Sequence, residues 1–439
     1  MVSKFRSGLL IALFCMCAFC GYAYTYTSIT LDGLTYIKRS DQEFSTLSGS
    51  SSKLIVEAKI QDMACGCYVT HIGGRVFYQR SLLKNVTLPV KLRVIDWEAF
   101  ANCGSIRAIS FPSGLVSIGD YAFANCTGLK DVTLPDHITD IGYGAFMGCT
   151  NLSSINIPDS VSVLQEALFS GCIRLKSVRF SSPVKTIGTR TFYKCINLTE
   201  LNNLESVETI EKYAFASCTS LSDLSFLNSI TSIGDYAFQY CEKITNVTMP
   251  RNISYLGKHA FSECTGLQSV TFPETSVRVS IRNNAFEKCT SLKSVTLSDF
   301  VFLLYDSVFY KCTSLPKITI PASVTKGIGA SAFEGCTALD SVTCLVEEPY
   351  AFGRDAFKNI SSKCVLTVPY GKRAAYIAKG WTTKIFKGGI VELPAPEGIQ
   401  AVKVKADDKS TYYDLEGREV LRPEKGKIYI CKGKKVLVK

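Results

Sequence analysis

The chain has 439 residues, 20% of them charged and 46% hydrophobic, with a formal net charge of +11. The positive excess is uneven: residues 24–357 hold 29 Lys/Arg against 30 Asp/Glu, whereas residues 358–388 hold seven bases and no acid. A nucleic-acid binder carries its basic stripe along its main groove-facing surface, so this distribution excludes nucleic acid as the principal ligand.

The first segment has Lys4 and Arg6, an apolar run from Leu9 to Cys20, and then Gly21-Tyr22-Ala23. A basic start, a short apolar core and small residues at −3 and −1 predict a secretory signal peptide over residues 1–23, hence a secreted or cell-surface protein. The run is too short for a membrane-spanning helix. Lipid attachment at Cys20 is the weaker reading, because the bulky Phe19 precedes it where a small residue is expected. Residues 24–71 follow, with Leu54, Val56, Ala58 and Ile60 alternating; this predicts an N-terminal β cap.

From residue 72 to 357 one unit repeats. Phe100, Phe123, Phe146, Phe169, Phe192, Phe215, Phe238 and Phe261 stand 23 residues apart, and Phe286, Phe309 and Phe333 continue with slightly stretched steps. Each is followed three residues later by a cysteine: Cys103, Cys126, Cys149, Cys172, Cys195, Cys218, Cys241, Cys264, Cys289, Cys312 and Cys336. A fixed period in the twenties is the signature of a solenoid. Within Cys126–Phe146, Val132 and Leu134 flank Thr133 as a short strand with one face inward, and Pro135 stops it. Ile141-Gly142 opens a bend, and residues 143–148 are expected as one helical or 3₁₀ turn that places Phe146 and Cys149 inside. Strands stacked through such crossovers pair in parallel at about 4.8 Å per coil, and the crossover rule makes the superhelix right-handed.

Eight apolar side chains at roughly 1.5–3 kcal/mol each do not offset the ordering of 23 residues at about 1–2 kcal/mol apiece. Stability must therefore come from the interfaces between coils, and both ends need caps. The eleven cysteines form a column of parallel side chains, which do not converge as a disulfide requires; they read as reduced core residues, because cysteine behaves as a small buried hydrophobe. At the ends the pattern changes: Arg80 stands in the cysteine place after Phe77, and Ile360 after Phe357. Tyr376 and Trp381 supply bulk for a C-terminal cap over residues 358–393. Residues 394–439 form a Pro-containing linker and a small β-domain.

The string I-G-x-x-A-F-x-x-C-x-x-L-x-x-V-x-L-P, complete from Ile118 to Pro135, resembles the BspA-like class of leucine-rich repeats over about 280 residues. The ending Val368-Pro-Tyr-Gly…Tyr376…Trp381…Ile390-Val-Glu392 resembles the closing segment of such arrays. The block Tyr413-Asp-Leu-Glu-Gly-Arg418…Gly426-Lys-Ile-Tyr-Ile…Gly433-Lys-Lys-Val-Leu-Val-Lys439 is similar to C-terminal sorting-type domains of exported Bacteroidetes proteins, although Cys431 departs from the commoner small polar residue. The resemblance implies a leucine-rich-repeat solenoid with a small β-domain recognised during export or surface attachment. It also implies an adhesin with host extracellular-matrix or cell-surface proteins as partners.

Candidate binding residues fall in two groups. Between the inward strand positions stand Thr87, Ser110, Thr133, Asn156, Arg179, Asn202, Ser225, Thr248, Thr271, Thr296, Thr319 and Thr343, a low-charge stripe suited to docking or simply to exposed strands. Phe300, Phe302, Leu303 and Tyr305 replace residues that are polar or Gly in other coils, such as His137, Thr139, Asp140 and Gly142. They form either an exposed interaction patch or a group buried under an irregular loop. Asn203 falls on an inward position and predicts a local bulge that hands the place to Leu204. The basic run 358–388 is either a solvated face or an attractor of acidic polymers.

Nothing in the sequence points to catalysis. His71, His137 and His259 lie on different coils or caps, and Cys65-Gly-Cys67 with His71 lacks a fourth zinc ligand. No paired catalytic carboxylates, nucleophile elbow or phosphate loop appears. Neither a cofactor nor a metal is expected. The alternatives to a protein-binding adhesin are a glycan-binding accessory protein and a structural spacer.

Overall fold

A computed structural model describes residues 28–31, 33–38, 44–50, 57–61, 63–64, 67–274, 277–395, 399–402, 411–414, 419–420, 423–431 and 434–438. The signal-peptide segment with Cys20, the alternating positions Leu54 and Val56, and Cys65 lie outside the described residues. The chain divides into two compact units, Met1–Ser182 and Pro183–Lys439.

The first unit begins with β-structure and passes into coils. Ser28–Leu31 and Leu34–Lys38 form an antiparallel hairpin that turns through Gly33 at φ +76°, a left-handed conformation that costs glycine little. Phe44–Ser50 adds to this hairpin antiparallel and then pairs in parallel with Cys67–Ile72. From there one sheet runs through Val94–Ile95, Ser117–Ile118 and Asp140–Ile141, all parallel. The hairpin thereby covers an edge that an open stack would leave unpaired. A second parallel sheet joins Asp131–Val132, Ser154–Ile157 and Ser177–Phe180, with Asp131 opposite Ser154 and Ser154 opposite Ser177, one repeat apart.

The second unit repeats the plan. Thr186–Ile187, Thr209–Ile210, Ser232–Ile233, Tyr255–Leu256, Val279–Ile281 and Val301–Leu304 form one parallel sheet. On the other, Asn246–Thr248, Ser269–Thr271 and Ser294–Thr296 pair in register. Lys317–Ile320, Ser341–Cys344, Val365–Val368 and Gly389–Glu392 do the same further on. In one coil the 3₁₀ helix Ser225–Ser229 stands where a strand is expected, with Phe226 and Leu227 turned inward. The final block is a separate five-stranded sheet, Ile399–Val402, Tyr412–Tyr413, Glu419–Val420, Ile428–Cys431 and Lys434–Val438, with Tyr412, Tyr429, Cys431, Val436 and Val438 as its core.

Several coils thus contain two short strands where the residue pattern predicts one, as with Asp131–Val132 and Asp140–Ile141; the latter is a strand, not merely the start of a bend. The expected helical or 3₁₀ turn also requires correction. Around Phe100 the N–H groups alternate in direction. Those of Glu98, Phe100 and Asn102 donate to Asp120, Ala122 and Ala124 of the next coil at 2.7–2.8 Å. Those of Ala99, Ala101 and Cys103 donate three residues back at 3.2–3.3 Å. A helix would keep all these donors within its own turn, whereas this segment joins its neighbours like a ladder. The alternation is achieved by left-handed residues two before and two after the phenylalanine, Glu98 at φ +48° and Asn102 at φ +62°. Among the described residues the helical elements are the 3₁₀ helix Ser225–Ser229 and the helix Arg373–Ala378.

The phenylalanines form the spine of each unit. In the first, Phe77, Phe100, Phe123, Phe146 and Phe169 stack at 5.0–6.1 Å between ring centroids. In the second, the column from Phe192 to Phe357 stacks at 5.0–5.7 Å. Offset stacking of this kind contributes about 0.5–1.5 kcal/mol per pair beyond area burial.

Where glycine follows the second strand it permits the close spacing: a Cβ on Gly257 would lie 2.5 Å from backbone atoms of Asp235 and Gly234. At the C-terminal end Trp381 and Phe386 pack on Phe357 at 5.6 and 5.2 Å. Tyr376 donates its hydroxyl to Val346 O at 2.7 Å, and Trp381 donates Nε1–H to Tyr350 O at 2.8 Å. The bulk expected of the C-terminal cap is thus anchored by hydrogen bonds.

Candidate binding surface

The cysteine column carries no surface chemistry. All eleven thiols are free and buried. Each S–H whose partner is resolved donates to the phenylalanine carbonyl of the preceding coil: Cys126 to Phe100 at 3.2 Å, Cys172 to Phe146 at 3.1 Å, and Cys264 to Phe238 at 3.1 Å. Burial pushes the thiols of Cys103, Cys264 and Cys336 up to about 12 and the middle members well above their ordinary value. A thiol that resists ionisation is a poor nucleophile and metal ligand. Among the described residues no group of three His, Cys, Asp or Glu side chains is placed to hold a metal ion.

The hydroxyl stripe is assembled in stretches. In the second unit Thr248, Thr271 and Thr296 are direct neighbours on parallel strands, and Asn246, Ser269 and Ser294 make a parallel column beside them. Ser269 donates to Asn246 Oδ1 at 2.6 Å. Thr319 pairs with Thr343 in the same manner. Thr248, Thr296 and Thr319 are exposed, and Thr271 is half-buried. In the first unit Thr133 and Arg179 are exposed, but Asn156 is not a free contact. Its Nδ2 donates to Leu134 O at 3.2 Å and its Oδ1 accepts from Leu134 N at 3.0 Å. The strand Asp131–Val132 stops short of Leu134, so the Asn156 amide takes the place of a backbone partner. Ser225 leaves the stripe on its 3₁₀ helix, and Asn203, at φ +60°, is exposed while Leu204 turns inward.

The group Phe300, Phe302, Leu303 and Tyr305 matches neither alternative in full, for all four are half-buried. Val301–Leu304 pairs with Val279–Ile281 through a register shift, with Val301 and Leu304 inward. Arg278 lies over the Phe302 ring at 4.5 Å, and Arg282 lies over Tyr305 at the same distance while donating Nη1–H to its hydroxyl at 2.8 Å. Arginine faces therefore cover the Phe302 and Tyr305 rings that a partner would contact.

The basic run 358–388 is partly neutralised. Lys358 pairs with Glu334 and Asp355, and Lys372 with Glu347 and Glu348, while Lys384 and Lys387 stay exposed beside a groove of about 470 Å³ at the cap. A second aromatic column, unforeseen in the sequence reading, occupies the left-handed positions of the second unit. Tyr213 and Tyr236 stack at 4.6 Å, and Tyr236 and His259 at 4.7 Å. Arg190 covers the Tyr213 ring at 5.1 Å. The ring faces are occupied by one another, so the column offers edges and not platforms for a sugar. The 23-residue spacing of Tyr213 and Tyr236 was the available signal.

The BspA type leucine-rich repeat region (6 copies) matches residues 56–176, 165–279 and 267–371. No curated protein matches the chain. A solved leucine-rich repeat protein from Bacteroides ovatus is 24% identical, covering 83% of this chain and 100% of its own, with a TM-score of 0.67. A leucine-rich cell surface protein from Faecalibacterium prausnitzii, also 24% identical, covers 82% of this chain and 98% of its own at a TM-score of 0.50. These likenesses bear on the fold. Together with the two-strand coil and its Phe–Cys turn, the matches over residues 56–371 establish that the chain belongs to the BspA-type leucine-rich-repeat family.

Proposed function

We propose that this repeat scaffold is an exported adhesin of the bacterial surface that recognises a host extracellular-matrix or cell-surface protein along its sheet. The observation that carries this reading is the uncharged Thr248–Thr271–Thr296 column, held in register on paired strands beside Asn246–Ser269–Ser294. A surface whose backbone is already fixed loses little freedom on binding, which favours recognition spread over many weak contacts. The leader-like segment 1–23 supports export, and the Faecalibacterium relative is itself named a cell surface protein. The five-stranded C-terminal block serves, in this reading, as the sorting element.

The test is a binding screen of the secreted chain against immobilised host matrix proteins and a glycan array. The Thr248→Arg/Thr271→Arg/Thr296→Arg variant should lose about tenfold or more in affinity for the protein partner, with melting unchanged. Saturable binding to glycans alone would transfer the function to the accessory-protein reading, and no saturable ligand would leave a spacer. Deleting residues 394–439 should misdirect the protein without altering its purified affinity.

A further inference from the structure

Lys84, Arg107 and Lys130 occupy one position of three consecutive coils of the first unit, each 23 residues from the next. They line a single groove of about 460 Å³, together with Ser105 and Asn151. All three cationic side chains are exposed, and among the described residues no ion pair or other interaction engages their charged groups. Among the described residues no acid lines the groove. Of the acids on the same coils, Asp96, Asp120 and Asp140 lie in or beside the other sheet, whereas the exposed Asp131, next to Lys130, accepts the Ser153 hydroxyl at 2.6 Å.

The floor is bare for a packing reason. A Cβ on Gly128 would sit 2.6 Å from Gly104 O and 2.8 Å from Ile106 O, so the coils approach too closely there for any side chain. Ser105 donates its hydroxyl to Ser81 O at 2.6 Å, and Asn151 donates to Thr127 O at 2.7 Å. The Ser105 hydroxyl oxygen and the Asn151 amide oxygen remain as acceptors along the wall.

We infer that this groove binds an acidic polysaccharide, a chain bearing carboxylate or sulfate groups. The cations recur at the coil repeat, about 4.8 Å, close to the advance of one sugar residue along an extended glycan. An extended acidic peptide carries no side-chain hydroxyls for the wall acceptors. Single-stranded nucleic acid is held by aromatic stacking platforms, and no aromatic residue lines the groove. The wall acceptors suit sugar hydroxyls, and the unpaired cations suit the acidic groups. This site lies in the first unit and is independent of the threonine face in the second.

The experiment measures binding of the full secreted chain to heparin, polygalacturonate, neutral dextran, poly-glutamate and single-stranded DNA. The acidic polysaccharides should bind, dextran should not, and 0.5 M salt should weaken binding by about tenfold or more through screening. Lys84→Ser/Arg107→Ser/Lys130→Ser should reduce polysaccharide affinity by about tenfold at unchanged melting temperature. Lys317→Ser/Lys326→Ser/Lys379→Ser, which removes equal charge elsewhere, should leave it within about twofold. Equal loss in both variants, undiminished binding in the first, or tighter binding of poly-glutamate or DNA would each overturn the assignment.

Discussion

The recurring cysteine is one half of a hydrogen-bonded device. The phenylalanine carbonyl accepts the backbone N–H of its own coil's cysteine and the S–H of the next coil's cysteine; Phe123 O does so at 3.2 Å from both Cys126 N and Cys149 Sγ. Cys149→Ala removes the donor and leaves a small void, and should cost about 1–2 kcal/mol in denaturant unfolding. Cys149→Ser keeps a donor and should lose less. The same column makes the fold alkali-sensitive. Burial raises the native thiols above the ordinary value of 9.0, to about 12 at Cys103, Cys264 and Cys336. Native cysteines therefore hold protons that unfolded ones release. Their contribution is fully present below pH 9 and is lost as pH rises toward about 12, so melting temperature should be flat across neutral pH and fall steeply above pH 9. Cys264→Ala should flatten that fall.

At the level of the element, the turn ladder explains an unusual backbone. Left-handed conformations occur at Arg190, Lys194, Tyr213, Ser217, Glu263, Lys288 and Lys311, residues that ordinarily avoid them. Each such residue costs about 1–2 kcal/mol, offset by the cross-coil hydrogen bond that its N–H makes, as from Lys194 N to Ala216 O at 2.9 Å. Lys194→Gly should relieve that strain and raise stability by up to about 1 kcal/mol in urea titration. In contrast, Gly257→Val pushes a side chain into the Asp235 backbone and should destabilise by about 2 kcal/mol or more. The Arg282–Tyr305 pair interrupts the glycine column at corresponding positions. Arg282→Ala strips both stacking and a hydrogen bond, at a cost of about 1–2 kcal/mol in melting experiments.

At the level of the whole molecule, each unit draws its stability from interfaces between successive coils, so its ends govern where unfolding starts. The cap over Phe357 is the clearest case: Trp381 is almost fully buried against Phe357, Phe352 and Tyr376. Trp381→Ala should cost about 3–5 kcal/mol. Hydrogen exchange should then show the coil ending at Phe357 losing protection before that around Phe238.

Much of this was legible in the residue order. The 23-residue return of phenylalanine and cysteine dictated a stack of coils, because an apolar face too small to fold alone recurs at constant phase. Asn203 marked a distortion that turns Leu204 inward and Trp381 the end of the stack, whereas the strand expected to run up to Pro135 ends at Val132. Four things waited for the tertiary structure. The turn ladder was hidden because its left-handed positions carry Lys, Glu and Tyr instead of glycine. Asn156 lost its binding role to a backbone gap one coil away. The Phe302 and Tyr305 rings acquired arginine covers from the coil before. Lys84, Arg107 and Lys130, far apart in the chain, became one positively charged groove. Periodicity reports which residues face inward, since burial follows hydrophobicity. What a side chain meets on the neighbouring coil depends on residues one period away, and only the packed stack decides it.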